Sequence, residues 1–158
     1  MVCISAVAIV FSSLLGGLGA LAAPAKEIAA RQAGDAGLLC TLDRLSIVLE
    51  LDEMQGTLQN LTQEFSKSDP TSASSVKSAI DSITGAQGAI GVIAQAIAAG
   101  QTPPADARIQ VEGNLTAAHN VLTSINTTDA TASATLKTAL TELGDAGAAG
   151  NGVLDNCN

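Results

Sequence analysis

Between Cys40 and Cys157 the apolar side chains recur at steps of three and four residues, and no sustained two-residue alternation interrupts them. Residues three and four apart share one face of an α-helix, so this period admits helices and argues against strands. The first seam is Cys40, Ile47, Leu51, Met54, Leu58, Leu61 and Phe65, read as broadened at its start by Leu38, Leu42, Leu45 and Leu49. The second is Val76, Ile80, Ile83, Ile90, Ala94 and Ile97, with Ile93 beside it. The third is Val111, Leu115, Ala118, Leu122 and Ile125. The fourth is Leu136, Leu140, Leu143, Gly147, Gly150, Leu154 and Cys157. The spacing predicts helices over 38–66, 71–99, 104–126 and 130–156.

The boundaries carry their own chemistry. Asp69-Pro70 is a helix start, with Asp69 as N-cap and Pro70 in the first turn, where a missing N–H costs nothing. Gly100 stops the second helix and Pro103-Pro104 opens the third. Asn126-Thr127-Thr128-Asp129 makes the last turn, with Thr128 or Asp129 as cap. Short connections make sequential helices antiparallel neighbours. The expected fold is therefore all-α, an antiparallel up-down-up-down four-helix bundle over 38–158.

The cysteines bear on the same fold. Residues 1–22 read as a signal peptide: an uncharged apolar core, then a run of small residues in which Ala20 and Ala22 fit the cleavage rule. A positively charged start is lacking, and the competing reading is a retained membrane anchor. Residues 23–37 are expected to be a flexible leader or a short extra helix. Cleavage removes Cys3 and leaves Cys40 and Cys157, for which one pairing exists. In an oxidising compartment that pair is expected to be a disulfide rather than two buried thiols. Four alternating helices put both chain ends at one end of the bundle, so the helix assignment brings Cys40 and Cys157 together without using their pairing.

An internal echo is also present. DPTSASSVKSAIDSI from Asp69 and DATASATLKTALTEL from Asp129 align at a constant offset. The match reads either as a duplicated helical hairpin or as convergence on one helix-start pattern in an Ala/Ser/Thr-rich chain.

Composition excludes several functions. The net charge is −8 and the only aromatics are Phe11 and Phe65, so there is neither a basic stripe nor a stacking platform for nucleic acid. With a single histidine, His119, no zinc site and no Ser–His–Asp constellation is expected. Glu50, Asp52 and Glu53 lack the spacing of a calcium loop and read as a solvated face. Gly85 to Gly91 has no lysine and no preceding strand, and so is not a phosphate loop. No cofactor or metal, and no enzymatic activity, is expected.

Glycines inside helices still need a reason, since each costs up to about 1 kcal/mol against alanine. Gly85, Gly88 and Gly91 in the second helix, and Gly144, Gly147, Gly150 and Gly152 in the fourth, fall in the halves nearest the disulfide. They imply close helix packing, a frayed end, or an apolar crevice. The expected crevice walls are Leu42, Leu45, Ile90, Ile93, Ile97, Val153 and Leu154, with a fatty acid or other apolar ligand as occupant. Sequons at Asn60, Asn114 and Asn126 are glycosylation candidates. Asn126 is the best placed, in a turn, and Asn114 the least, in mid-helix.

Taken together, the apolar leader, the Ala/Ser/Thr-rich amphipathic helices, the scarcity of aromatics and the sequons resemble the small secreted fungal proteins of the hydrophobic surface-binding protein A type, also described as cell-wall galactomannoproteins. The resemblance covers roughly 38–156. It implies a secreted or wall-associated, non-enzymatic protein that binds hydrophobic surfaces or lipids. The alternative expectation is a glycosylated structural wall protein or a secreted effector with no small-molecule ligand.

Overall fold

The computed structural model describes residues 25–157, and side chains from residue 37 onward. The expected signal segment 1–22 lies outside the described residues. Four helices follow in order: α1 (Ala25–Ser68), α2 (Pro70–Ala98), α3 (Ala105–Ser124) and α4 (Ala130–Asn156), and among the described residues there is no strand. The chain is the expected antiparallel four-helix bundle, with Cys40 and Cys157 joined by a disulfide.

The helices differ in length. α1 has 44 residues and α3 has 20. At 1.5 Å per residue α1 is about twice as long as α3, roughly 66 Å against 30 Å. The helix expected from residue 38 begins instead at Ala25, so residues 25–37 of the segment read as leader or short extra helix are continuous with α1. The cause is local. Between Ala25 and Cys40 there is no proline, and Gly34 and Gly37 cost a helix about 1 kcal/mol apiece without ending it.

Packing is uneven around the ring. α1 lies most extensively on α4 and α2 on α3; α1 also packs on α2, whereas α3 touches α4 only lightly. The core follows the seams: Ile47, Leu51, Met54, Leu58, Leu61 and Phe65 from α1, Val76 and Ile83 from α2, Leu122 from α3, Leu136 and Leu143 from α4. Along α1 these residues step 4-3-4-3-4, the spacing of near-parallel knobs-into-holes packing. Fully buried alanines at 79, 86, 118, 139 and 146 let the backbones approach.

The caps are as the sequence reads. The Asp69 carboxylate accepts from the Thr71 and Ser72 amides at 3.1 Å, and that of Asp129 accepts from the Ala132 amide at 2.8 Å. Hydrogen bonds from the Ser72 hydroxyl and amide hold the Asp69 carboxyl below the usual aspartate range. α2 ends in a Schellman turn. Gly100 takes φ +68°, its amide donates to the Ile97 carbonyl, and the Gln101 amide donates to that of Ala96. The echo carries into three dimensions. The caps are Asp69 and Asp129, and the buried positions of α4 (Ala132, Leu136, Ala139, Leu143, Ala146) match Ser72, Val76, Ala79, Ile83 and Ala86 of α2 at the same offset.

The glycines divide by what surrounds them. A β-carbon at Gly85 would meet the Asn114 side chain at 2.8 Å, and one at Gly152 the Asp43 carboxylate at 2.7 Å. At Gly150 it would touch Ile47 at an ordinary 3.7 Å, and at Gly88, Gly91, Gly144 and Gly147 it would meet open space. Close approach thus explains Gly85 and Gly152 alone. Gly88→Ala and Gly144→Ala, both at exposed helical positions, are each expected to stabilise the fold by about 0.5–1 kcal/mol in urea denaturation.

Candidate functional site

Cross-helix contacts set the register at the disulfide end. Asn156 Nδ2 donates to Asp43 Oδ2 at 2.8 Å, next to the Cys40–Cys157 bond, so the end of α4 is level with residues 40–43 of α1. Gln55 Nε2 donates to Gln87 Oε1 at 2.8 Å, which puts the last turns of α2 beside the same stretch. Gly85 lies against Asn114. With 1.5 Å per residue on antiparallel helices, the start of α3 is then level with about residue 94 of α2. Beyond that level the bundle has three helices, and side chains that α3 would cover are partly open. Ile93, Ile97 and Val153 are half-buried there, and Leu154 is 59% exposed.

The residues expected to wall a crevice fall into two groups. Ile90 packs against the core, and Ile93 and Ile97 continue its stripe on α2. Leu42 and Leu45 do not face them; they are 48% and 54% exposed. At 100° per residue, Leu38, Leu42, Leu45 and Leu49 fall within about 60° of one another on α1, on the side opposite Cys40, Ile47 and Leu51. The four leucines read as broadening the core seam are therefore a second seam, turned outward. Leu38 and Leu49 are 59% and 53% exposed, and Leu39 and Val48 flank the stripe at 48% and 46%. Spacing alone does not separate the two seams, because each is helical. Their rotational offset does, and it was available in the sequence.

Of the charged groups at this end, Asp43 is engaged by Asn156. Asp43 and Arg44, the charged residues between Leu38 and Leu49, are half-buried and rotated off the outward stripe. Asp52 and Glu53 are exposed and follow the stripe immediately. His119 is exposed on α3, and among the described residues no group of three or more His, Cys, Asp or Glu could hold a metal.

Two clefts lie elsewhere. One of about 370 Å³ sits between the turns at the opposite end, lined by Phe65, Ser68, Asp69 and residues 126–129. The other, about 480 Å³, runs between α1 and α4 past Thr57, Asn60, Glu64, Thr135 and Thr138. Here two reciprocal bonds fix the helix register. Thr57 Oγ1 donates to Glu142 Oε1 at 2.9 Å, and Thr135 Oγ1 donates to Glu64 Oε1 at 3.0 Å. Oε2 of each glutamate is buried without a hydrogen-bond partner.

Desolvation raises the Glu142 carboxyl above its ordinary value, aided by Glu53 and Glu50 and opposed by the Thr57 hydroxyl. A raised folded-state pKa favours the folded state below the unfolded value, and that gain is lost as pH rises through the folded value. Glu142→Gln keeps the shape and the Thr57 bond while removing the charge. It is expected to gain a few tenths of a kcal/mol at pH 7, after allowance for solvent screening, and nothing at pH 3.5. Urea titrations at the two pH values check this.

The sequons are unequal. Asn60 and Asn126 are exposed, Asn126 on the turn between α3 and α4. Asn114 is half-buried, and its Nδ2 donates to the Gln110 carbonyl at 2.8 Å.

No family model, curated protein or solved structure matches this chain. Among the described residues no helix is long and apolar enough to cross a membrane. The disulfide fits an oxidising compartment.

Proposed function

We propose that this is a secreted, non-enzymatic helical protein that binds hydrophobic surfaces or aliphatic lipids, such as fatty acids, through the outward leucine face of α1, at or near a fungal cell wall. The observation that carries the reading is the stripe Leu38, Leu42, Leu45 and Leu49, half-exposed on the side of α1 away from the core. Contiguous apolar surface of several hundred Å² is uncommon on a free soluble protein and marks interaction sites. The walls first expected to form a crevice are split between two sides of α1, which favours adsorption over enclosure. Leucine and valine offer aliphatic contact without stacking, which fits acyl chains or polyester better than sugars or bases.

Secretion is supported by the apolar leader and by the disulfide. A glycan at Asn126, where it is used, would leave the leucine face uncovered, because Asn126 lies at the far end of the bundle. The test is adsorption of the disulfide-bonded secreted chain to a polyester film, with uptake of a labelled C16 fatty acid in parallel. Leu42→Glu combined with Leu45→Glu is expected to abolish most of the adsorption. Ile109→Glu, at a 66% exposed apolar position on α3, should leave it intact. No adsorption and no uptake by the native chain would overturn the reading.

A further inference from the structure

We infer that in bulk water the outward leucine face of α1 is covered by a second copy of this chain, in an antiparallel two-fold pair. The inference goes beyond the surface-binding reading and stands without it. It starts from spacing. Leu38, Leu42, Leu45 and Leu49 step 4-3-4, which reads the same in both directions. A two-fold axis crossing α1 between residues 43 and 44 sets Leu38 opposite Leu49 and Leu42 opposite Leu45. Each layer then holds leucines from both copies, and the contact closes on itself as an isologous interface requires.

The extent of the face is sufficient. Leu38, Leu39, Leu42, Leu45, Val48 and Leu49 are each 46–59% exposed. Half-exposed side chains of this size offer on the order of 100 Å² each. Six from each copy therefore offer about 1,200 Å² in total, the lower bound of a specific interface. Charge permits the pairing across the leucines, although the same axis sets position 52 opposite position 35, an aspartate at each, at the edge of the patch. The chain carries −8, so two copies repel at long range. The outward positions from Leu38 to Leu49 are uncharged, however, with Thr41 and Ser46 as the polar flanks. Asp43 is held toward α4 by Asn156. Antiparallel α1 helices also oppose their macrodipoles.

Sedimentation equilibrium of the secreted, disulfide-bonded chain tests this, from 1 to 200 µM at 0.05 and 0.5 M NaCl. The expected result is a monomer–dimer equilibrium that tightens at high salt as the net charge is screened. Leu42→Glu and Leu45→Glu, singly, are expected to weaken dimerisation at least tenfold with an unchanged circular dichroism spectrum. Ile109→Glu is expected to leave it as in the native chain. A monomer throughout the range overturns the inference, as does a dimer that either leucine variant retains or that Ile109→Glu weakens equally. Because no surface is present, failure here leaves the adsorption result untouched, and loss of adsorption leaves this result untouched.

Discussion

Replacing Cys157 with Ser, or reducing its bond to Cys40, is expected to cost about 4 kcal/mol of unfolding free energy, the largest single loss available outside the core. The bond closes a loop of 117 residues. Chain-entropy estimates for a loop of that order give between 4 and 5 kcal/mol, roughly, removed from the unfolded state. The local structure directs where the loss is first felt. The second half of α4 carries Gly144, Gly147, Gly150 and Gly152, and two of these look onto open space. It is also the part with Val153 half-buried and Leu154 exposed, since α3 starts short of it. Beyond Ala146 no residue of α4 is fully buried. Thermal unfolding should therefore drop by on the order of 10–20 °C. Amide exchange should accelerate first over residues 147–156, while residues 132–143 stay protected at low temperature. A fall of less than about 1 kcal/mol would mean that α4 is held by its packing on α1 alone.

How far the fold could be read in advance depended on which physical signal each element carried. α2 and α4 were legible because three signals coincide: an aspartate cap, a helical apolar stripe and a helix break just before the cap. α3 was legible from Pro104 and its seam. The start of α1 was not, because glycine weakens a helix without stopping it, and a proline-free run carries no boundary. The candidate site shows a different limit. Leu42 and Leu45 were correctly singled out as apolar side chains at the disulfide end, but were grouped with the core seam. A three- and four-residue rhythm is common to any stripe on a helix, so period alone does not say which way the stripe faces. The angular offset between Leu42 and Ile47 does. The short length of α3, which opens the end around Ile97 and Leu154, follows from Pro103-Pro104 and the turn at Asn126. Its consequence needs the register between α2 and α3, and that is set by Gly85 against Asn114, a contact no periodicity announces.

The opposite end is closed by a different device, and Phe65→Ala is expected to cost about 3–5 kcal/mol there. Phe65 is the one aromatic among the described residues and is 1% exposed. It sits where both turns meet, its carbonyl accepting from the Asp69 amide at 2.8 Å, and it lines the cleft with residues 126–129. Around it the core is small, with Ala73 and Ala132 buried in the first turns of α2 and α4. Those turns are pinned by the Asp69 and Asp129 caps, so neither helix start is free to slide into the space the ring leaves. A site that does not collapse keeps its cavity, which places the loss toward the upper part of the range. Phe65→Leu retains most of the buried carbon and should cost less than about 1.5 kcal/mol. Urea unfolding checks both, with the m-value unchanged if only stability has moved. A Phe65→Ala loss no larger than that of Phe65→Leu would show that the capped turns do shift to fill the hole. The two ends would then differ in kind: one held rigidly by a covalent bond across weak helix, the other by packing that can adjust.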